Sequence, residues 1–318
     1  MGKPLKKILI IGGLGYLGGR VAKYFSDNDY FVRITTRKSE NDFPRNIPRN
    51  TKVIQVDYKS DEQLNEVMKG IDSLIHLAGP DAHTKFDDEN ILVKKHVDLT
   101  RQIFKISRRN NIKHFIYFST IHVYGNSLVG TVTEEKTTLP VYPFAIAHLE
   151  AEKIINTAQK EIVTIIFRCS NTFGAPYFEN QKCWNLVVND LCRSAFQNGS
   201  LIMNSSGQGH RDFISVGNVV NAIYYLTELK NYKGRDNIYN LGSSQTTRII
   251  DIAKNIQKEL KDRFDYNCLI KTNKSSNESI NLDSFIFSTK KIKKIGFTLD
   301  YGYKEMRLLL NYCNNNHK

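Results

Sequence analysis

The stretch KKILIIGGLGYLGG, residues 6–19, constrains the fold more than any other part of the chain. Ile8–Ile11 is a short apolar run of strand length that stops at glycine. Gly12, Gly15 and Gly18 then stand at G-x-x-G-x-x-G spacing and open YLGGRVAKYFSDND, whose apolar residues recur at three- and four-residue intervals as in a helix. The glycines permit a tight turn and let backbone N–H groups and a helix N-terminus approach a pyrophosphate. The strand–turn–helix context separates this pattern from a plain structural turn. Tyr16 and Leu17, lying between the glycines, belong to the same expected cofactor loop.

The alternation continues downstream. FVRITTR and TKVIQVD read as strands, EQLNEVMKG as a helix, DSLIHLAG as a strand and residues 89–109 as a long helix. KHFIYFST, a helix starting near Phe144, and IVTIIFRCS follow. Strands separated by crossover helices imply an α/β fold, a Rossmann-type doubly wound parallel sheet with helices on both faces. After residue 172 the rhythm loosens. CWNLVVNDLCRSAF, VVNAIYYLTEL and TRIIDIAKNIQKEL read as helices and LIMNSS as a strand. The expected organisation is a dinucleotide-binding domain over 1–172, with about 212–243 returning to it, and a smaller, mainly substrate-binding C-terminal lobe over 173–318. The polar segment YNCLIKTNKSSNESINLDS is expected to form loops over a ligand, with simple disorder as the alternative for NKSSNES.

Composition narrows the functional classes. The chain has 318 residues, 41% hydrophobic and 24% charged, which suits a globular core. No apolar run approaches the roughly 20 residues that span a bilayer, and the start lacks a leader or acylation pattern, so the expected address is the cytoplasm, away from the membrane. Cys169, Cys183, Cys192, Cys268 and Cys313 form no C-x-x-C pair, so neither a metal site nor a disulfide framework is expected. The formal charge of +13 favours anionic ligands. The basic residues are dispersed, without a nucleic-acid-binding signature, so no nucleic-acid partner is expected.

The end of the second strand chooses between dinucleotides. A carboxylate about 20 residues past the glycines would accept a hydrogen bond from a ribose 2′-hydroxyl. Here that region reads Thr36, Arg37, Lys38. Two cations without a carboxylate suit a 2′-phosphate, so NADP(H) is favoured over NAD(H), with solvated loop charges as the alternative. Asp57 and Tyr58 end the third strand where an adenine would lie. Leu77, Ala78 and Gly79 end the fourth beside the dinucleotide.

GGLGYLGG, HLAG, FSTIHVYG, the run Arg168–Asn171 with Gly174, and RDFISV followed by IYNLG resemble the extended short-chain dehydrogenases/reductases, in the branch of nucleotide-sugar epimerases, dehydratases and 4-ketoreductases. The resemblance covers almost the whole chain. It implies a Ser or Thr, a Tyr and a Lys acting on a sugar hydroxyl or ketone. The hydroxyl matches Thr120, but Phe144 falls on the Tyr and His148 on the Lys, with Glu152 in the family's Glu position. Phe144 cannot donate a proton. His148, one helical turn on, lies on the same face and titrates near neutrality when unperturbed. A surface position on the helix is the alternative for it. His122 matches the place of a catalytic Glu in the family's dehydratases, and Tyr142 is a further candidate by a local shift. His96 replaces a family Asn that supports the catalytic helix.

On the substrate side the resemblance carries Asn171 and Arg211 onto a nucleotide diphosphate and Asn185 onto the nucleotide. An ion pair with the adjacent Asp212 is the alternative for Arg211. Ser215 and Asn218 replace the family's residues after RDF, which leaves the support of that strand open. The function implied is an NADPH-linked 4-ketoreductase or epimerase of carbohydrate biosynthesis, dimerising through the 89–109 helix and the catalytic helix. The alternative is a catalytically silent NADP-binding sensor or scaffold.

Overall fold

The computed structural model describes residues 5–82, 84, 88–157, 162–229, 232, 236–272, 283–300 and 302–317. In its first half, strands and helices alternate as β1 (Lys7–Ile11), α1 (Tyr16–Asp27), β2 (Phe31–Thr36), β3 (Thr51–Gln55), α2 (Asp61–Met68), β4 (Ser73–His76), α3 (Glu89–Arg109) and β5 (His114–Thr120). A short strand β6 (Gly130–Val132) precedes α4 (Pro143–Asn156) and β7 (Val163–Cys169). Local chemistry sets several ends. Ser60 caps α2 by accepting from Gln63 N, Asp88 caps α3 by accepting from Asn90 N, and Arg108 and Arg109 sit in the last turn of α3. Pro143 occupies the first turn of α4, where its missing N–H costs nothing.

Seven parallel strands form the main sheet in the order β11-β7-β5-β4-β1-β2-β3, where β11 is Ile238–Leu241. This is the expected doubly wound sheet. Side-chain alternation fills both faces. Ile8 and Ile10 join the core under α1, while Leu9 and Ile11 join the core under the 61–68 and 89–109 helices. The strand order reverses between β1 and β4, which opens a crevice at their carboxyl ends.

The remaining elements are β8 (Asn171–Phe173), α5 (Val187–Asn198), β9 (Ser200–Met203), β10 (His210–Ser215), α6 (Val216–Glu228), β12 (Thr246–Arg248), α7 (Ile249–Phe264), β13 (Leu269–Thr272), β14 (Phe285–Phe287), α8 (Lys290–Lys294) and α9 (Tyr303–Asn316). Leu191, Ala195, Ile256, Leu260, Leu309 and Leu310 build a separate core among α5, α7 and α9. β10 pairs with β8 and β12, whereas α6 packs on α1 and β11 joins the large sheet. Ser215 caps α6 by accepting from Asn218 N, and Asn218 exchanges hydrogen bonds with the backbone of Asp300, so both replacements in that stretch carry structural bonds.

Two expectations need correction. The segment from Tyr266 does not open as a loop over a ligand: Leu269–Thr272 pairs in parallel with β9, and polar composition concealed a two-stranded edge. The NKSSNES run lies outside the described residues. The helix expected from Cys183 starts only at Val187, because Leu186 is its N-cap and the preceding residues form a turn. All five cysteines are free and buried. Among the described residues, no helix is long and apolar enough to cross a membrane.

Behind α4 lies a buried ion pair. Glu152 Oε2 accepts from Arg168 Nη2 at 2.7 Å and from Nε at 3.1 Å, and Ser119 Oγ donates to Oε1. Arg168 also donates to Tyr124, whose hydroxyl donates to Asn240 Oδ1 at 2.7 Å. Removing one partner of such a pair leaves an uncompensated buried charge. Glu152→Ala is therefore expected to lower the unfolding free energy by about 3–5 kcal/mol in a urea titration. Lys153→Ala, on the solvent side of the same turn, is expected to stay within about 0.5 kcal/mol of the unmodified protein.

Candidate functional site

A cleft of about 1520 Å³ runs from the glycine loop across the carboxyl ends of β1, β4, β5 and β7 to the second lobe. At one end the backbone is built for close approach. Gly12 adopts φ +83°, and a Cβ there would sit 2.8 Å from Ala78 N. A Cβ on Gly18 would lie 2.5 Å from both Gly12 O and Gly13 Cα. Helix α1 starts at Gly15 without a side-chain cap and without an acid in its first turn, so its leading N–H groups remain open to an anion. Tyr16 is fixed by donating to Gly174 O at 2.8 Å. These features fit a dinucleotide pyrophosphate.

Gly12, Gly15, Tyr16, Leu17, Gly18, Leu77 and Gly79 line the cleft, and Ala78 stands directly behind Gly12. Thr36 ends β2 buried, and its Oγ1 accepts from Lys38 N, while the Arg37 and Lys38 side chains are exposed. The nearest acids in sequence, Glu40 and Asp42, lie in a following turn where Asp42 accepts from Ser39 Oγ. Asp57 is exposed and accepts from Lys59 N, and Tyr58 donates to Thr35 Oγ1 at 2.9 Å.

The opposite wall brings together Thr120, His122, Tyr142, Phe144, His148, Asn171, Asn185 and Arg211. Thr120 Oγ1 accepts from His122 N at 3.3 Å, which leaves its O–H free to donate. The His122 ring meets Phe144 edge-on at 5.4 Å and Tyr142 at 6.1 Å, and neither of its nitrogens bonds another described residue. Burial, and then the Arg211 charge, push its pKa down to about 4. Tyr142 stacks on Phe144 as the N-cap residue of α4 and is 41% exposed. Arg211 makes no ion pair with another described residue. The alternative pairing with Asp212 does not form, because strand alternation turns Asp212 inward onto Ser243 N and Oγ. Burial raises the Asp212 carboxyl to about 6. Asn171 donates from its amide to Asp212 O at 2.9 Å.

His148 is not a surface helix residue. Its Nε2 lies 3.1 Å from Pro80 O and its Nδ1 2.7 Å from the Tyr117 hydroxyl, which in turn lies 2.7 Å from His96 Nε2. Sequence reasoning missed Tyr117. The available signal was the alternation of FIYFST, which places Phe115, Tyr117 and Ser119 on the face toward α4. His76, beneath them, has Nε2 3.2 Å from Thr100 Oγ1. Burial lowers all three histidines, His148 to about 4, His76 to about 3 and His96 to about 2.

Residues 8–242 match the NAD dependent epimerase/dehydratase family. Over 289 residues the chain is 26% identical to dTDP-D-glucose 4,6-dehydratase of Dictyostelium discoideum, covering 79% of this chain and 62% of that protein. The chain thus spans less than two thirds of the length of that curated relative. The structure of UDP-N-acetylglucosamine 4-epimerase from Methanobrevibacter ruminantium M1 in complex with UDP-N-acetylmuramic acid superposes with a TM-score of 0.81 at 22% identity, covering 98% of each chain. MoeE5 in complex with UDP-glucose and NAD superposes with a TM-score of 0.80 at 16% identity, covering 98% of this chain and 100% of that one. The chain belongs to the NAD dependent epimerase/dehydratase family.

The depressed histidines make stability pH-dependent. Their folded pKa values lie below the unfolded value near 6.5, so the unfolded chain binds protons first as the pH falls. The stability they contribute is complete above pH 6.5 and is lost as the pH drops toward the folded values. Between pH 6.5 and 5, each of His76, His96, His122 and His148 is expected to withdraw about 2 kcal/mol of unfolding free energy. A urea series at pH 7, 6 and 5 measures the slope. His76→Asn is expected to make the slope shallower.

Proposed function

We propose that this family member binds a nicotinamide dinucleotide beside a nucleotide sugar and acts as an NAD(P)-dependent nucleotide-sugar oxidoreductase or epimerase, in its most specific form an NADPH-linked 4-ketoreductase with an atypical proton donor. The observation that carries this reading is one cleft holding the open N-terminus of α1 together with Thr120, His122 and Arg211. Its relatives, a dTDP-D-glucose 4,6-dehydratase and a UDP-N-acetylglucosamine 4-epimerase among them, support the substrate class.

A bound reduced nicotinamide supplies hydride to a carbonyl carbon. The chain's own groups manage the oxygen. Thr120 donates its free O–H to the sugar oxygen, and Arg211 with Asn171 and Asn185 holds the nucleotide diphosphate. His122 delivers the proton. In the free protein, burial and Arg211 keep its ring neutral. A diphosphate seated on Arg211 offsets the guanidinium charge and allows the ring to charge where the substrate needs it. His148 lines the cleft with both ring nitrogens engaged by Tyr117 and Pro80. Arg37 and Lys38, exposed beyond a strand end without a carboxylate, receive the 2′-phosphate of NADP(H). The 1–172 part supplies the dinucleotide site together with Thr120, His122 and Asn171, and the 173–318 part adds Asn185 and Arg211 on the substrate side. A homodimer would use the outer faces of α3 and α4, where Val93, Val97 and Ile146 line a shallow hollow.

A second reading rests on Phe144 and the fully engaged His148: a protein that binds NADP(H) without turnover. NADPH oxidation against a panel of 4-keto nucleotide sugars separates the two. The first reading predicts turnover that drops about 10²–10⁴-fold in His122→Ala, with kcat falling as the pH rises from 6 to 8 because the protonated ring is the donor. Binding of NADPH without oxidation of any substrate would leave the silent protein. For the cofactor, Arg37→Ala combined with Lys38→Ala is expected to raise the NADPH Kd about 10- to 100-fold and to leave the NADH Kd within about twofold, read by fluorescence titration.

A further inference from the structure

The backbone just after β8 is held by side chains from three other elements. Gly174 N donates to Asn189 Oδ1 at 3.0 Å, and Gly174 O accepts from Asn189 Nδ2 at 2.9 Å and from the Tyr16 hydroxyl. One residue on, Ala175 O accepts from Arg20 Nη1 at 2.8 Å, and Ala175 N donates to Glu305 Oε1 at 3.2 Å. Arg20 and Glu305 close on each other as a fork: Nη1 donates to Oε1 at 2.6 Å and Nη2 to Oε2 at 2.8 Å. Glu305 is 5% exposed. It approaches so closely that a Cβ on Gly174, at φ +146°, would stand 2.5 Å from its Oε1. Neither Arg20 nor any described residue of α9 lines the cleft, yet Tyr16 and Gly18, in the same first turns of α1 as Arg20, do.

We propose that Arg20 and Glu305 are positioning residues for the dinucleotide: through their fork, α9 holds the first turns of the glycine-loop helix against the 174–175 backbone and so sets where its open N–H groups point. The inference rests on the dinucleotide reading of the cleft. Hydrogen bonds weaken steeply as donors leave the line to their acceptor, so an anion held by backbone N–H groups is sensitive to their aim. No side chain caps α1, and Tyr16 and Arg20 supply the polar bonds that tie its N-terminus to the 174–175 backbone. A two-bond fork resists rotation as well as separation, which a lysine at position 20 would not do. The substrate side is pinned separately, because β8 pairs with β10 and Asn171 donates to Asp212 O. Loss of the fork therefore acts on the dinucleotide and spares the nucleotide diphosphate.

The test is a double-mutant cycle in the full-length protein: Arg20→Met, Glu305→Gln and the two together, with the urea midpoint, NADPH Kd and UDP Kd read on each. Each single variant leaves one charge without its partner and is expected to lower the midpoint. The double variant removes both charges, and its glutamine keeps an acceptor for Ala175 N. Its midpoint is expected to recover more than half of the loss, while its NADPH Kd stays raised about tenfold and its UDP Kd stays within about twofold. A pair that served stability alone would return affinity together with the midpoint, so recovery of the NADPH Kd in the double variant would overturn the proposal. NADPH and UDP Kd values rising in parallel would overturn it too. If the single variants fail to fold, Arg20→Lys joins the double variant: it keeps the charge without the fork, and an unchanged NADPH Kd in both would contradict the proposal. An unmodified protein that binds no NADPH would overturn the dinucleotide reading itself, and the proposal with it.

Discussion

The Glu152–Arg168 ion pair sets the roll of α4, and the cleft depends on it. Both side chains are nearly inaccessible, and the pair reaches Ser119 on β5, Tyr124 after it and Asn240 on β11. A buried carboxylate with several donors tolerates little rotation of the helix that carries it. Phe144, His148 and Glu152 follow one another at four-residue steps on one face. Once Glu152 is seated on Arg168, His148 must meet Tyr117 and Phe144 must reach the cleft mouth beside His122. The ion pair thus acts as the register pin of the candidate site.

Charge within the cleft is divided. Its anion-receiving features include the open N-terminus of α1 at one end and Arg211 at the other, with Lys95 and Lys182 also in its lining, and between them lie the neutral rings of His122 and His148. A cluster of depressed histidines is the inverse of a permanent cation. It offers hydrogen bonds without a fixed field, and it gains charge only when a ligand changes the local balance. The overall charge of +13 adds a long-range preference for anionic ligands, sensitive to salt.

The glycine loop, the alternation of the first half and the placing of α4 were legible because each rests on local spacing. Gly12 and Gly18 are needed where chain segments nearly touch, and the sequence carries that need directly. What escaped depends on contacts distant in sequence. Tyr117 finds His148 from a strand and His96 from a different helix, so no local pattern joins them. Arg20 on α1 forms a two-bond pair with Glu305 on α9, 285 positions further along the chain, bringing the end of the chain onto the glycine-loop helix. β13 looked like a loop because it sits in a polar stretch of sequence and is largely exposed, and only pairing with β9 makes it a strand. The residues Arg211 and Asp212 illustrate the same limit: adjacent opposite charges suggest a pair, yet strand geometry sends them to opposite faces.

The central claim is that one cleft holds a dinucleotide and a nucleoside diphosphate side by side, and titration calorimetry tests it most directly. NADPH titrated into the protein should bind one per chain, and UDP or dTDP titrated into the loaded protein should bind again without displacing it. Mutual exclusion of the two ligands, or no binding of NADPH, would contradict the account.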